Sequence, residues 1–213
     1  MILAFDGSSI DGSGYLDMVR LARHSPGWLD VLVSFWSTYG LALFAVLAAF
    51  GWWRARRVGP AAAVAALAVP VVVIAAYGAD SALKAVVRED RPCQSLHVKM
   101  LEACPAPRDW SFPSNHAAIA AAAAVALLCV SRRLGVVGAA AALAMAASRA
   151  WVGAHYPHDI VAGIAVGALV GLLMMAVVRR RSEAPARWIA SGRLRALLIA
   201  PRTIRPSPAQ HAV

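Results

Sequence analysis

Three short groups of residues have the types and spacing needed to bind and transform a phosphoryl group. They are Lys84 followed by Arg91-Pro92, then Pro113-Ser114-Asn115-His116, and finally Ser148-Arg149 followed by His155 and Asp159. Lysine and arginine neutralise phosphate oxygens through charge-assisted hydrogen bonds, and a histidine can act as nucleophile or general acid near neutral pH. A helix that begins at a serine adds backbone N–H groups that bind anions. Together the three groups predict a site for an anionic phosphoryl group.

Each group alone also has an ordinary structural explanation. Lys84 and Arg91 would then be cations on a lipid-buried helix whose side chains reach to the membrane surface. Ser114 would suit a helix N-cap, and His155 and Asp159, four residues apart, would suit a hydrogen-bonded pair that fixes a loop. The combination of all three groups favours the phosphoryl site over these separate explanations.

Two further pairings concern neighbouring residues. Asp80 lies four residues before Lys84, on the same face of a predicted helix, and is expected to pair with it. His158 adjoins Asp159, and with His155 it leaves a zinc site as an alternative, although the phosphoryl site accounts for the same residues.

The elements that must hold these residues are apolar helices. The chain has 213 residues, of which 60% are hydrophobic and only 15% charged, and this excludes a disordered chain. Five apolar blocks, at about 31–53, 60–83, 116–130, 134–150 and 160–178, have or approach the length that spans a bilayer as helix. We therefore predict an all-α, polytopic membrane bundle of about five transmembrane helices.

One of these blocks carries a seam of small residues, Gly163, Gly167 and Gly171. Such a seam lets helix backbones approach closely in lipid. Packing inside the bundle is the favoured interpretation, and a dimer contact stays open, so the sequence does not decide between a monomer and a homodimer.

Alternating spans place all three groups on one face of the membrane. Arginines concentrate on the other face: Arg54, Arg56 and Arg57 after the first block, Arg132 and Arg133 after the third, and eight arginines, Arg202 and Arg205 among them, in the tail. The positive-inside rule then predicts a cytoplasmic C-terminus, with the N-terminus and the site outside. This explains the net charge of +10 without nucleic acid.

The expected organisation is an amphipathic N-terminal segment over 1–30, a membrane-embedded domain over 31–178 and a basic cytoplasmic tail over 179–213. The first residues lack a basic start followed by an apolar stretch, so no cleavable signal peptide is expected. A short helix lying on the membrane surface is predicted there instead. Cys93 and Cys104 both fall in the predicted outer loop, where an oxidising exterior would permit a disulfide.

The three groups resemble the tripartite signature K-x6-RP, PSGH and SR-x5-H-x3-D of the type-2 phosphatidic acid phosphatase (PAP2) superfamily. All spacings match, and Asn115 stands where the motif has glycine. The short chain and the stretches around Ser114 and Arg149 are also similar to bacterial undecaprenyl-diphosphate phosphatases of the bacitracin-resistance type. The resemblance implies a PAP2/haloperoxidase-like helical core that acts without metal or other cofactor.

The resemblance also implies roles for the residues. His155 would be the nucleophile that forms a phosphohistidine, Asp159 would orient it, and His116 would protonate the leaving oxygen. The phosphate oxygens would be bound by Lys84, Arg91, Ser114, Asn115 and Arg149. The departure at Asn115 puts the local backbone shape in question more than the chemistry.

The implied substrate is a membrane lipid phosphate. A polyprenyl (undecaprenyl or decaprenyl) diphosphate, cleaved to the monophosphate and phosphate to recycle the carrier lipid of cell-wall synthesis, is the favoured one. Phosphatidic acid, phosphatidylglycerophosphate and a prenyl-linked phosphosugar stay open as alternatives. A membrane anion-binding or transport protein without turnover is the alternative of another class, and a nucleic-acid partner is not expected.

Overall fold

The computed structural model describes residues 5–199, and its secondary structure there is almost entirely helical. Arg202 and Arg205 of the predicted basic tail lie outside the described residues. The described helices are α1 (Ser8–Arg23), α2 (Gly27–Tyr39), α3 (Leu41–Val58), α4 (Pro60–Val87), α5 (Pro92–Ser95), α6 (Asn115–Val130), α7 (Arg132–Trp151), α8 (Pro157–Arg181), α9 (Glu183–Ser191) and α10 (Arg195–Leu198). This confirms the predicted all-α class.

Helices α4, α7 and α8 are each long and apolar enough to cross a membrane. The predicted first span is not one straight helix, because α2 and α3 meet at Gly40 with a bend of 53°. A Cβ atom at residue 40 would lie 2.5 Å from the carbonyl oxygen of Trp36 and 2.8 Å from Cε of Met145. Counted as one broken span, the pair brings the number of candidate spans in the described chain to four.

The remaining predicted span is the short helix α6, which lies at the centre of the bundle. Its 16 residues are fewer than a straight crossing requires. Alanines on almost every side of it are buried, and α4, α7 and α8 all pack against it. Because alanine side chains are small, three helices can approach one axis closely. The weak hydropathy of this block therefore reflects burial in protein rather than contact with lipid.

The glycine seam of α8 packs against α6 within the same chain. A Cβ atom at Gly167 would lie 2.0 Å from the carbonyl oxygen of Ala118, and one at Gly163 would lie 2.5 Å from that of Ser114. Real side chains do not approach backbone so closely, so glycine is required for this packing. Of the two interpretations of the seam, the structure supports packing inside the bundle.

The two ends of the bundle carry different polypeptide segments. Near the start of α4, Ala63 packs with Ala186 of α9 and Leu198 of α10, and the guanidinium of Arg56 donates to the carbonyl of Ala196 at 3.0 Å. The other end, where α4 finishes, is covered by α1 and by the loop 88–114. In that loop Cys93 and Cys104 form a disulfide.

Helix α1 packs on the protein at this second end. Tyr15 and Val19 are buried and form a cluster with Tyr156, while Leu21 on the opposite side is exposed. The apolar face that the sequence suggests for membrane contact is therefore largely covered by the rest of the chain.

Candidate functional site

The three sequence groups meet at one end of the bundle, as the alternation of spans predicts. Lys84 lies in the last turn of α4, Arg149 in the last turn of α7, and Asp159 in the first turn of α8. Ser114 precedes α6, and His155 lies in the loop between α7 and α8. The side chains of these five residues are all buried. Asn115 and His116, in the first turn of α6, are half-buried.

The start of α6 is fixed by backbone contacts to α8. Ser114 has extended backbone angles at the N-cap position, and its N–H donates to the carbonyl of Asp159 at 3.0 Å. Its hydroxyl does not cap the helix and has no hydrogen-bond partner among residues 5–199. Asn115 is the first helical residue, so its position needs no left-handed backbone. The departure from glycine therefore leaves the backbone shape unaffected.

The two ring nitrogens of His155 face different surroundings. Nδ1 lies 3.3 Å from the hydroxyl of Ser111 and 3.4 Å from Oδ2 of Asp159. Nε2 lies 3.4 Å from Nη1 of Arg91. A carboxylate and hydroxyl beside Nδ1 favour the tautomer that carries its proton there. The lone pair of Nε2 then faces the guanidinium of Arg91, a cation that could attract an anionic phosphoryl group to the same side of the ring.

Burial lowers the pKa of His155 well below its ordinary value, because the imidazolium would lose its hydration. The nearby charges of Arg91 and Lys84 act in the same direction, followed by Arg149 and His116. His155 is therefore neutral at physiological pH, which is the protonation state in which an imidazole can act as a nucleophile.

Asp159 has several partners besides His155. Its Oδ2 accepts hydrogen bonds from the hydroxyl of Ser111 at 2.5 Å and from the backbone N–H of Tyr156 at 2.9 Å. The second bond caps the N-terminus of α8. One carboxylate thus fixes the helix start, the serine and the histidine loop together.

The three cations of the site already have partners in the protein. Nζ of Lys84 donates to the carbonyls of Trp110 and Ser111 at 2.7 and 2.8 Å. Nη2 of Arg91 pairs with the half-exposed carboxylate of Asp109 at 2.9 Å, and its Nη1 donates to the carbonyl of Ala154 at 3.1 Å. The loop 88–114 and the histidine loop are both held by these cations.

Arg149 is bonded to two residues remote in sequence. Its Nη1 donates to the hydroxyl of Ser37 in α2 and lies 3.2 Å from Oε2 of Glu102. Its Nε is buried and has no hydrogen-bond partner in the described part of the chain. The charge of the guanidinium is therefore paired with the Glu102 carboxylate at Nη1, while the N–H at Nε has no acceptor among the described residues.

Sequence reasoning missed Ser111, Asp109, Glu102 and Ser37 as members of this site. Ser111 lies three residues before Ser114, where no periodic pattern marks it. Glu102 is the single acidic residue between Pro92 and Arg108. This isolated position could have identified it from the sequence as the partner of one of the site's cations.

The expected pairing of Asp80 with Lys84 is wrong. Both carboxylate oxygens of Asp80 are buried without a hydrogen-bond partner among the described residues. The ammonium group of Lys84 is directed to carbonyls of the loop instead. Those carbonyls compete successfully because the loop folds over the end of α4.

The alternative zinc pairing of His155 with His158 is not the arrangement observed. His158 lies beside Glu89 and Asp159, and one ligand atom from each of these three falls within 4.8 Å of the others. Both ring nitrogens of His158 already contact carboxylates, Nδ1 with Asp11 at 2.8 Å and Nε2 with Glu89 at 3.0 Å. Hydrogen bonding by the ring accounts for this cluster.

Comparison with known proteins leads to the same superfamily that the three motifs indicate. The sequence model of the PAP2 superfamily matches residues 59–183. An undecaprenyl-diphosphatase of Sulfolobus acidocaldarius is 31% identical over 156 residues, which cover 70% of each chain. A decaprenylphosphoryl-5-phosphoribose phosphatase of Mycobacterium tuberculosis is 30% identical over 195 residues, 88% of this chain and 94% of the relative.

The undecaprenyl-diphosphatase BcrC of Bacillus subtilis is 36% identical over 85 residues, 40% of this chain and 43% of that relative. No solved structure matches the chain significantly. The family match covers more than half of the sequence and includes all three motifs. The chain therefore belongs to the PAP2 superfamily and is a multi-pass helical membrane protein of the lipid phosphatase type.

Proposed function

We propose that this protein hydrolyses a polyprenyl diphosphate to the monophosphate and inorganic phosphate through a phosphohistidine on His155. The observation that carries the proposal is the environment of the ring: Nδ1 is held by Ser111 and Asp159, and Nε2 faces Arg91. This is the arrangement of a neutral nucleophile beside a cation that attracts phosphate.

The first step joins Nε2 of His155 to the terminal phosphorus and breaks the bond from that phosphorus to the bridging oxygen. His116 gives its proton to the departing oxygen. In the second step water attacks the phosphohistidine, and His116 accepts the proton of that water. Phosphate leaves and His155 returns to its starting state.

Cations and unsatisfied donors support the binding of a phosphate here. Lys84, Arg91 and Arg149 would neutralise the oxygens of the transferred group. Buried donors are almost always bonded in folded proteins, yet the hydroxyl of Ser114 and Nε of Arg149 lack partners within residues 5–199. A phosphate oxygen is an acceptor that would satisfy both.

An apolar groove of about 430 Å³ lies between α2 and α7, next to the residues that hold Arg149. Its walls are almost entirely apolar: Leu32, Val33, Trp36, Ala144, Ala147, Ser148 and Trp151. Ser37, which binds Arg149, follows Trp36 directly in α2. A lipid with its phosphate on Arg149 would place its prenyl chain in this groove.

A second candidate substrate is a prenyl-linked phosphosugar with a terminal phosphate monoester. The observation that favours it is the match to the mycobacterial decaprenylphosphoryl-5-phosphoribose phosphatase, which extends over nearly the whole of both chains. The same His155 and His116 would act on it, with a sugar oxygen as the leaving group.

Phosphate release by the detergent-purified protein distinguishes these substrates. Decaprenyl diphosphate, decaprenylphosphoryl-5-phosphoribose, phosphatidic acid and phosphatidylglycerophosphate are compared at equal concentration in EDTA. We expect the highest kcat/KM with the diphosphate. Faster cleavage of the phosphosugar favours the second candidate, and phosphate binding without release from any lipid favours an anion-binding or transport protein.

We also propose that the site and the N-terminus face the exterior and that the C-terminus is cytoplasmic, where carrier lipid released outside would reach the site. In an otherwise Cys129→Ala protein, Arg180→Cys at the end of α8 should resist an impermeant thiol reagent in intact cells. A cysteine at exposed Asp17 of α1 should react. The reverse labelling pattern contradicts this orientation.

A further inference from the structure

Helix α1 contacts the histidine loop and the start of α8 through a chain of polar groups. Both oxygens of Asp11 are used: Oδ2 accepts the backbone N–H of His158 at 2.7 Å, and Oδ1 lies 2.8 Å from Nδ1 of its ring. Nε2 of the same ring lies 3.0 and 3.2 Å from the two oxygens of Glu89 and 3.4 Å from Oδ1 of Asp159. His158 thus joins three separate segments next to the carboxylate that orients His155.

The ring of His158 can donate to both flanking carboxylates only when both of its nitrogens carry hydrogen. A neutral ring would leave either Asp11 or Glu89 facing a lone pair. Glu89 is 1% exposed and Asp159 is fully buried, so their charges need nearby donors. The imidazolium of His158 is therefore a cation shared by Asp11, Glu89 and Asp159, and it is within 3.4 Å of Oδ1 of Asp159, the oxygen that faces away from Ser111 and Tyr156.

A second contact from α1 reaches the residue two positions before His155. The hydroxyl of Tyr15 donates to the carbonyl of Gly153 at 3.0 Å, and its ring lies 5.4 Å from that of Tyr156. Gly153 has φ +80°, a left-handed turn that favours glycine. Burial raises the pKa of Tyr15 to about 12, so the phenol keeps its proton at physiological pH.

The chain before α1 is fixed to the same region. The backbone of Phe5 exchanges hydrogen bonds with Arg88 and Asp90, at 3.1 and 2.9 Å. A Cβ atom at Gly7 would lie 1.8 Å from Oε1 of Glu89, so the backbone there is packed directly on that carboxylate. The N-terminal segment is thus anchored at both Glu89 and the histidine loop, rather than resting on them through apolar contact alone.

From these contacts we infer that α1 positions the nucleophile, with Asp11 and His158 acting as one unit that fixes Asp159, and therefore His155, in its reactive orientation. The inference rests on the proposed function, because it assigns Asp11 and His158 as positioning residues for that reaction. Neither residue is one of the defined positions of the three motifs, since Asp11 lies in α1 and His158 occupies a variable position of the third motif.

The test uses the full-length protein and four variants: Asp11→Ala, Asp11→Asn, His158→Ala and the double alanine variant. We expect Asp11→Ala and His158→Ala to lower kcat about 10- to 100-fold, the effect of losing a hydrogen bond between charged groups. KM should change less than about threefold, since the phosphate-binding cations are untouched. Asp11→Asn keeps an acceptor for the backbone N–H of His158 and should recover part of the loss.

The double variant shows whether the two residues act together. If Asp11 acts through His158, the double variant has the kcat of His158→Ala, because the contact is already lost. Multiplicative losses would overturn the coupling. The matched control is Asp17→Ala, which removes a carboxylate of the same helix that pairs with exposed Arg20, and its kcat should equal that of the wild type.

Folding is followed separately by thermal unfolding and by the fraction of monodisperse protein. A lower unfolding temperature with unchanged kcat per folded molecule would overturn the inference, since α1 would then be merely structural. If the unmodified protein releases phosphate and Asp11→Ala and His158→Ala do so equally fast, the inference fails while the proposed function stands. If the unmodified protein releases none, the proposed function itself fails.

Discussion

Nδ1 of His155 and Oδ2 of Asp159 lie 3.4 Å apart, with the hydroxyl of Ser111 placed against both atoms. The direct contact between histidine and carboxylate is therefore long, and the serine donates a shorter bond, 2.5 Å, to the same carboxylate oxygen. Orientation of the proposed nucleophile therefore involves a group of three residues rather than the pair that the motif contains.

Replacing Ser111 by alanine should therefore lower kcat with little change in KM. Loss of one hydrogen bond to a charged group corresponds to about 1.5 kcal/mol or more, which is about a tenfold decrease. The measurement is steady-state phosphate release from decaprenyl diphosphate. Ser131→Ala, at the opposite end of α6, is the control, and an unchanged kcat for Ser111→Ala would contradict the role of this hydroxyl.

Glu102 should compete with the substrate for Arg149. Its carboxylate lies 3.2 Å from Nη1 of this arginine, on a guanidinium that the proposed function assigns to a phosphate oxygen. Glu102→Gln removes the competing charge, so we expect KM to fall about threefold to tenfold for a pair worth about 1 kcal/mol. Glu183→Gln, which removes an exposed pair with Arg187 on α9, is the matched control. A higher KM for Glu102→Gln would show that Glu102 organises Arg149 instead of masking it.

The titration of His155 should follow from its burial. Because its pKa in the folded protein lies well below the ordinary value, the ring stays neutral as the pH falls through about 6.5, the usual histidine pKa. In the unfolded chain the ring takes up a proton at its usual pKa. The neutral, buried form of His155 therefore contributes stability above that pH, and this contribution is lost as the pH falls toward the pKa of the folded protein. Histidine NMR signals assigned with His155→Ala measure this directly. A midpoint at or above the ordinary value would contradict it.

The close packing of α8 on α6 predicts that one added methyl group will lower the stability of the protein substantially. Gly167→Ala would place Cβ 2.0 Å from the carbonyl of Ala118, so the helices must separate. We expect a loss of about 1–3 kcal/mol of stability, the usual cost of overpacking. The matched control is Gly78→Ala in α4, where nothing lies within 4 Å of the added carbon. Thermal unfolding in detergent compares the two, and equal stabilities would rule out the close packing.

Much of the bundle follows from sequence because lipid imposes strong rules on composition and length. The apolar blocks, their alternation and the convergence of Lys84, Ser114 and Arg149 at one end were all predictable. The bend at Gly40 was not, because no local pattern marks it and one of the side chains packed against this glycine, Met145, is more than a hundred residues away. The burial of α6 could not be predicted either, because an alanine-rich helix is compatible both with contact with lipid and with close packing against other helices.

The motif spacing identified the ionisable groups of the site but not the groups that bind them. Ser111, Asp109 and Glu102 reach the site because the loop 88–114 folds back over the end of α4, a path that no local pattern encodes. The pairing of Asp80 with Lys84 fails for the same reason, since loop carbonyls take the ammonium group. Helical periodicity predicts which residues are neighbours on one helix, and it does not predict contacts with residues from other segments of the chain.

Transfer of the phosphoryl group to His155 can be tested by trapping the phosphorylated protein. The protein is mixed with decaprenyl diphosphate labelled with ³²P in the terminal phosphate and quenched in alkali within milliseconds, which preserves phosphohistidine. We predict label on the wild-type protein at residue 155, and none on His155→Ala, which should also release no phosphate. Phosphate release by His155→Ala, or label on another residue, would contradict the account.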